Sequence, residues 1–229
     1  ANLWWEVNML LAVDTSTALV GLALYDGDQV LGEMTWTTKQ HHTTELSPAL
    51  SGLLKRCGVT MASVNALGVA IGPGSFTSLR VGLSLVKGIA LARNLPVMGI
   101  STLDVIAAAQ PISENPLVAV LQAGRTRVAY GVYQSVDGQW QAEGPVRSGT
   151  LNEMLSQFES PTLIAGELTS EERKKVSKIK HLQVASPVLC VRRPAVLAEL
   201  AWARWQDDDA DDAVSLAPIY LHVAGTPIQ

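Results

Sequence analysis

Residues 66–104 read ALGVAIGPGSFTSLRVGLSLVKGIALARNLPVMGISTLD, and the changes of texture along them decide the fold class. Residues 66–71 are a continuous apolar run, the mark of a strand buried on both faces. The run ends in Gly72-Pro73-Gly74-Ser75, a tight turn whose serine can cap a following helix. Residues 76–94 are that helix, stopped at Leu95-Pro96. Residues 97–100 make a second short strand, and Ser101-Thr102 can cap a helix over 103–109. Strand, helix, strand, helix is the signature of an α/β layer.

Upstream, residues 9–13 (MLLAV) form a buried strand broken by Asp14-Thr15-Ser16-Thr17. Residues 18–25 resume a strand pattern, Asp26-Gly27-Asp28 reads as a hairpin turn, and residues 29–37 form a third strand. Residues 44–56 carry Leu46, Leu50, Leu53 and Leu54 at i, i+4, i+7 and i+8, one apolar helix face. The order through residue 109 is therefore βββαβαβα. Residues 111–116 (PISENP) mark a boundary. Beyond it come strands at 117–121, 128–134 and 140–147, with a turn at Asp137-Gly138. A helix at 151–158, a strand at 162–165 and helices at 170–179 and 195–205 follow. The second half thus begins as a degraded copy of the first. The expected division is an N-terminal unit at 9–110 and a C-terminal unit at 111–229. Residues 1–8 (ANLWWEVN) are read as an added extension, with Met9 as the native start.

Composition narrows the function classes. The chain has 229 residues, 48% hydrophobic and 17% charged, with a net charge of −4. That is globular, and an acidic balance disfavours strong autonomous nucleic-acid binding. Cys57 and Cys190 are too few for a disulfide framework and fit two buried thiols in a reducing cytoplasm. No apolar run reaches membrane-spanning length. The acidic run at 207–212 reads as a solvated loop.

Two motifs bear on chemistry. Asp14, followed by Thr15 and Ser16 at a strand end, suits a carboxylate holding magnesium through water beside a phosphate, and equally a turn that satisfies its own backbone. Gly72, Gly74 and Ser75 lie between a strand and a helix, where free N–H groups can meet an anion. A plain capped turn has the same spacing. The loop is neither a Walker loop nor GxGxxG. His41 and His42 have only Glu45 four or three positions on, too few ligands for a metal site. There is no Gly-x-Ser-x-Gly elbow. The 76–94 helix carries a stripe of Leu79, Leu83, Val86 and Ala90, with Val81, Leu85 and Ile89 on other faces. A helix apolar nearly all round is either a central core helix or one shared with a partner.

AVDTST at 12–17, the block at 70–104 and PIYLH at 218–222 resemble the bacterial TsaB (YeaZ) family. The chain departs from it at Ser78, where glycine is usual, and at Gln122-Ala123-Gly124-Arg125, which replaces Asp-Ala-Arg. The resemblance implies an α/β, actin-like ATPase (ribonuclease H-like) fold. Two subdomains are expected, each related to βββαβαβα with mixed sheets. It also implies a cytoplasmic, non-catalytic partner of TsaD, which transfers threonylcarbamoyl to adenosine beside the anticodon of ANN-decoding tRNAs. TsaD carries a His-x-x-x-His metal pair that this chain lacks. On this reading the chain requires no cofactor of its own, and ATP or ADP would be met at Asp14, Thr15, Gly72, Gly74 and Ser75 only in the complex with TsaD. The ATPase TsaE joins that complex, and tRNA is met only through it. The helices at 44–56 and 76–94 are the expected partner surface, for TsaD or for a second copy in a homodimer, with Leu46, Leu50, Leu79, Leu83 and Val86 as contacts. An autonomous actin-fold ATPase or phosphotransferase is the alternative, and a metallopeptidase-like protein the second.

Overall fold

The computed structural model describes residues 8–39, 41–124 and 126–220. The expected extension at 1–8 falls almost wholly outside them, as does the end of PIYLH. The chain divides into two compact units.

In the first unit, strands β1 (Leu10–Asp14), β2 (Leu19–Tyr25), β3 (Val30–Thr37), β4 (Ala66–Gly72) and β5 (Val97–Ser101) form one sheet in the order β3-β2-β1-β4-β5. β1 to β3 are an antiparallel meander, and β1, β4 and β5 run parallel. The meander turns at Gly27, whose φ of +96° suits the tight hairpin, and the Tyr25 hydroxyl donates to the Gly27 carbonyl at 2.6 Å. Alternation along β1 sends Leu11 and Val13 to one face and Leu10 and Ala12 to the other. The first face is covered by α1 (His42–Arg56) and α2 (Phe76–Arg93), through Leu46, Leu50, Leu53, Leu83, Val86 and Ala90.

The second face is covered by α6 (Pro194–Gln206), through Leu197, Ala198 and Ala201. A Cβ on Gly68 of β4 would stand 2.7 Å from the Ala201 Cβ, so small residues on both sides set this close approach. The expected division at residue 110 is therefore corrected. Arg193–Pro218 belongs with the chain up to Val105, and the other unit is essentially Ile106–Arg192. The reason is the apolar second face of the first sheet, which needs a cover that its own half does not supply.

The acidic run is likewise not simply solvated. Asp211 N–H donates to the Val97 carbonyl at 2.8 Å, and its carboxylate accepts from Gly99 N at 2.7 Å and from Arg204 at 3.0 Å. Lys87 then donates to the carbonyls of Val214 and Leu216. Residues 207–216 are thus a strap along the exposed edge of β5, which protects that edge from other strands.

The second unit repeats the plan. Strands β6 (Leu117–Gln122), β7 (Val128–Val136), β8 (Gln139–Ala142), β10 (Thr162–Gly166) and β11 (Leu182–Val184) lie in the order β11-β10-β6-β7-β8. Read from the other side this is the first sheet's order. β6 and β7 are antiparallel, while β6, β10 and β11 run parallel. The expected single strand at 140–147 is two pieces, β8 and β9 (Arg147–Gly149), both paired with β7 and separated by Gly144 at φ +90°. The short strand β11 carries no clear sequence pattern. Helices α4 (Leu151–Leu155) and α5 (Ser170–Val176) cover one face, and the short α3 (Thr102–Ala108) follows β5. Both cysteines are free and half-buried, where two buried thiols were expected.

Candidate functional site

The fold brings the two sequence motifs together. Asp14 is the last residue of β1, and the parallel neighbour β4 delivers Gly72 to the same sheet end. Gly72 has φ +108° and precedes a cis Gly72–Pro73 bond. Gly74 must lack a side chain, since a Cβ there would stand 2.3 Å from the Ser16 carbonyl oxygen. That carbonyl accepts from Ser75 N at 2.7 Å and so ties the two loops directly. Ser75 caps α2: its hydroxyl accepts from Ser78 N at 3.4 Å and from the Ser78 hydroxyl at 3.0 Å.

The hydroxyls of the Asp14 loop face protein. The Thr15 hydroxyl donates to the Ser78 carbonyl at 2.7 Å and accepts from Gly82 N at 3.1 Å. Ser16 Oγ shares a hydrogen bond with Thr102 Oγ1 at 2.8 Å. Asp14 is 2% exposed and accepts from Ser16 N at 2.8 Å. Asp14 thus takes part in a turn that bonds its own backbone. A phosphate at this place would meet backbone N–H groups at the start of α2 rather than the hydroxyls of Thr15 and Ser16.

Gln122 ends β6 as Asp14 ends β1. Its Nε2 donates to the Glu172 carboxylate at 2.8 Å. Glu172 also accepts from Thr169 N at 2.7 Å, while the Thr169 hydroxyl accepts from Glu172 N, a capping box at the head of α5. A carboxylate therefore stands where the helix N-terminus would otherwise attract an anion. Gly166 at the end of β10 has φ +125°, and a Cβ there would strike the Val120 carbonyl. Behind it the fully buried Arg192 pairs with Glu167.

The expected partner contacts need correction. Leu46, Leu50, Leu79, Leu83 and Val86 are all buried, and four of them join the core against the sheet. Leu50, Leu79, Leu83 and Val86 form the inward stripe of the helix pair, while Leu46 also lines the groove between the helices. The open side is a groove of about 440 Å³ between α1 and α2, lined by Thr43, Ser47, Phe76, Arg80, Val81 and Leu85 among others. Phe76 is 53% exposed, and the Arg80 guanidinium lies 3.6 Å from its ring centroid. Leu91, near the end of α2, is also exposed. The signal for this face was the apolar Val81 and Leu85, displaced from the main stripe of α2. In the first turn of α1, Glu45 accepts from Trp36 Nε1 at 2.8 Å, which holds its carboxyl below the usual carboxylate range.

The TsaD family profile, described as tRNA N6-adenosine threonylcarbamoyltransferase, matches residues 29–185. The chain belongs to the TsaD family. Within it the likeness is to TsaB (YeaZ) proteins. The Bacillus subtilis (strain 168) tRNA threonylcarbamoyladenosine biosynthesis protein TsaB is 29% identical over 220 residues, 94% of each protein. Its Escherichia coli (strain K12) namesake is 31% identical over 137 residues, 58% of this chain and 59% of that one. The solved structure of YeaZ from Pseudomonas aeruginosa superposes with a TM-score of 0.75 at 23% identity, covering 93% of this chain and all of that one. The fold is the actin-like ATPase type with two mixed sheets.

In this TsaD-family chain His42 is buried, and its Nε2 lies 3.0 Å from the Thr17 carbonyl, where it anchors the start of α1. Among the described residues no three His, Cys, Asp or Glu side chains gather as a metal site would require. No helix among them is long and apolar enough to cross a membrane.

Proposed function

We propose that this chain is a non-catalytic subunit that supports TsaD in threonylcarbamoyl transfer to tRNA, docking through the α1–α2 groove. The broader role, in the biosynthesis of tRNA threonylcarbamoyladenosine, follows from its family. The observation that carries the finer reading is the paired occupancy of the two loop sites. Thr15 and Ser16 are committed to Ser78, Gly82 and Thr102, and the matching position in the second unit is filled by Gln122 and Glu172. Side chains committed to protein in this way are not on hand to act on a nucleotide's phosphates. The groove supports docking, since it joins an exposed aromatic ring and a cation to apolar side chains, the composition of interface hot spots. The same face suits a second copy of the chain, and TsaD and the homodimer would then compete for it. TsaE and tRNA, and ATP or ADP if bound, belong to the assembled complex.

The test is reconstitution with TsaD from the same organism. The chain alone should form no threonylcarbamoyladenosine and hydrolyse negligible ATP, and addition of TsaD should give a co-eluting complex. Phe76→Glu with Arg80→Glu should abolish co-elution while circular dichroism stays unchanged. Robust ATP turnover by the isolated chain, lost in Asp14→Ala, would favour the autonomous ATPase instead.

A further inference from the structure

The chain contains seven lysines, and four of them, Lys174, Lys175, Lys178 and Lys180, fall within seven residues. They lie on α5 and the turn after it, and all four are exposed. None of the ion pairs among the described residues includes any of them. Other residues of the run face inward: Val176 and Ile179 pack in the core, and Arg173 donates to the Ala185 carbonyl and the Cys190 sulfur. The segment therefore separates a packed side from a lysine side, in a protein whose net charge is −4.

Beside the lysines lies a hollow of about 340 Å³. Leu155, Phe158 and Ile179 give it an apolar lining, and Asn152, Lys175 and His181 add polar groups. The His181 ring is oriented by the Phe158 carbonyl, 2.8 Å from its Nε2. Four acidic groups belong to these elements, and Glu153 of α4 is engaged by Thr150 N at 2.7 Å. Glu172 is engaged by Thr169 and Gln122, Glu171 sits in the first turn of α5 ahead of the lysines, and Glu159 is exposed on the loop beside His181.

We propose that this face of the second unit binds the phosphodiester backbone of RNA, with the four ammonium groups on phosphates and an unstacked base in the hollow. An apolar platform beside a row of cations is the arrangement that takes single-stranded nucleic acid. The choice of RNA as the polyanion rests on the proposed role in tRNA modification. The site itself rests on the lysines and the hollow. Binding of this kind is driven by counterion release. Four phosphate contacts give a slope of about −3 in log affinity against log salt, so affinity falls about 50-fold between 50 and 200 mM. Weak binding by the isolated chain at physiological salt is the natural consequence.

The experiment is fluorescence anisotropy of labelled tRNA with the full chain across that salt range. Wild type should show the steep slope. A quadruple Lys→Gln variant at 174, 175, 178 and 180 should bind at least about 10-fold more weakly at 50 mM and lose most of the slope. The quadruple Lys→Arg variant should bind as wild type, and thermal melts should match for all three. The proposal is overturned if wild type does not bind at 50 mM, or if the Gln variant binds equally well. It is also overturned if duplex DNA of equal length, or vesicles rich in anionic lipid, bind as tightly as tRNA. Co-elution of the Gln variant with TsaD is scored separately. Lysine-dependent tRNA binding without any TsaD complex would sink the subunit reading and leave this surface standing, and the reverse pattern would do the opposite.

Discussion

Gly82 and Gly88 lie on the same helix, yet the same substitution should move them in opposite directions. A Cβ on Gly82 would stand 2.3 Å from Thr15 Oγ1 and 3.1 Å from Thr15 Cγ2. Thr15 is buried and cannot swing clear without breaking its 2.7 Å bond to the Ser78 carbonyl. Overpacking of this kind costs about 1–3 kcal/mol, and the lost hydrogen bond about 1 kcal/mol. Alanine's better helix propensity returns about 1 kcal/mol. The net is a loss of about 2 kcal/mol, or a Tm about 4–8 °C lower for a chain of this size. Gly88 has nothing within 4 Å of its missing Cβ, so Gly88→Ala keeps only the propensity gain and should raise Tm by about 2–4 °C. Thermal melts followed by far-UV circular dichroism would read both. Adding Thr15→Ala to Gly82→Ala should recover part of the loss, with a coupling on the order of 1 kcal/mol. If Gly82→Ala proved neutral or stabilising, or Gly88→Ala fell equally, the packing of α2 onto the Asp14 loop would not be what requires a glycine.

Leu83, 5% exposed within the core, should not tolerate charge: Leu83→Glu should abolish the cooperative melt, whereas Ser84→Glu, at an exposed position of the groove, should leave it nearly unchanged. Arg204→Ala should loosen the strap, since it removes the 2.8 Å bond to the Gly99 carbonyl, worth about 1 kcal/mol, and should speed hydrogen exchange in β5. Arg204 also holds the Asp209 carboxyl below its usual range, so that pair's contribution is complete above the unfolded aspartate value near pH ~3.9 and is lost as pH falls through the lower folded value. A wild-type acid titration should therefore show a strap-dependent loss below about pH 4 that is smaller in Arg204→Ala, which keeps only the part due to Asp212, held low by Val214 N and Ser215. Glu167→Gln, which removes a carboxylate paired with the buried Arg192 guanidinium, should lower the stability of the second unit in urea unfolding, by at most about 3 kcal/mol.

Much of the architecture was legible in the amino-acid sequence, because the signals involved are local. The apolar run of β1, the leucine stripe of α1, the hairpin at Gly27 and the strand–turn–helix at Gly72–Ser75 are each specified by neighbours a few residues apart. They sufficed for the element order of the first unit, for the repeat and for placing Asp14 and Gly72 at strand ends, but not for β9 or β11 of the second unit. Only the tertiary structure decided what each exposed or buried group meets. Thr15 bonds residues 63 and 67 positions away, and Ser16 one 86 positions away, so no window of sequence could tell an anion-facing hydroxyl from one bonded to protein. Periodicity showed that α2 is apolar on more than one side. The sheet assigned Leu83 and Val86 to the core, while Val81 and Leu85 pack at its margin and also line the groove. The placement of α6 on the first sheet and of Asp211 on the edge of β5 arises the same way. An uncovered apolar face or unpaired strand edge is satisfied by whichever segment the chain returns to it, and that return is a long-range event with no local signature.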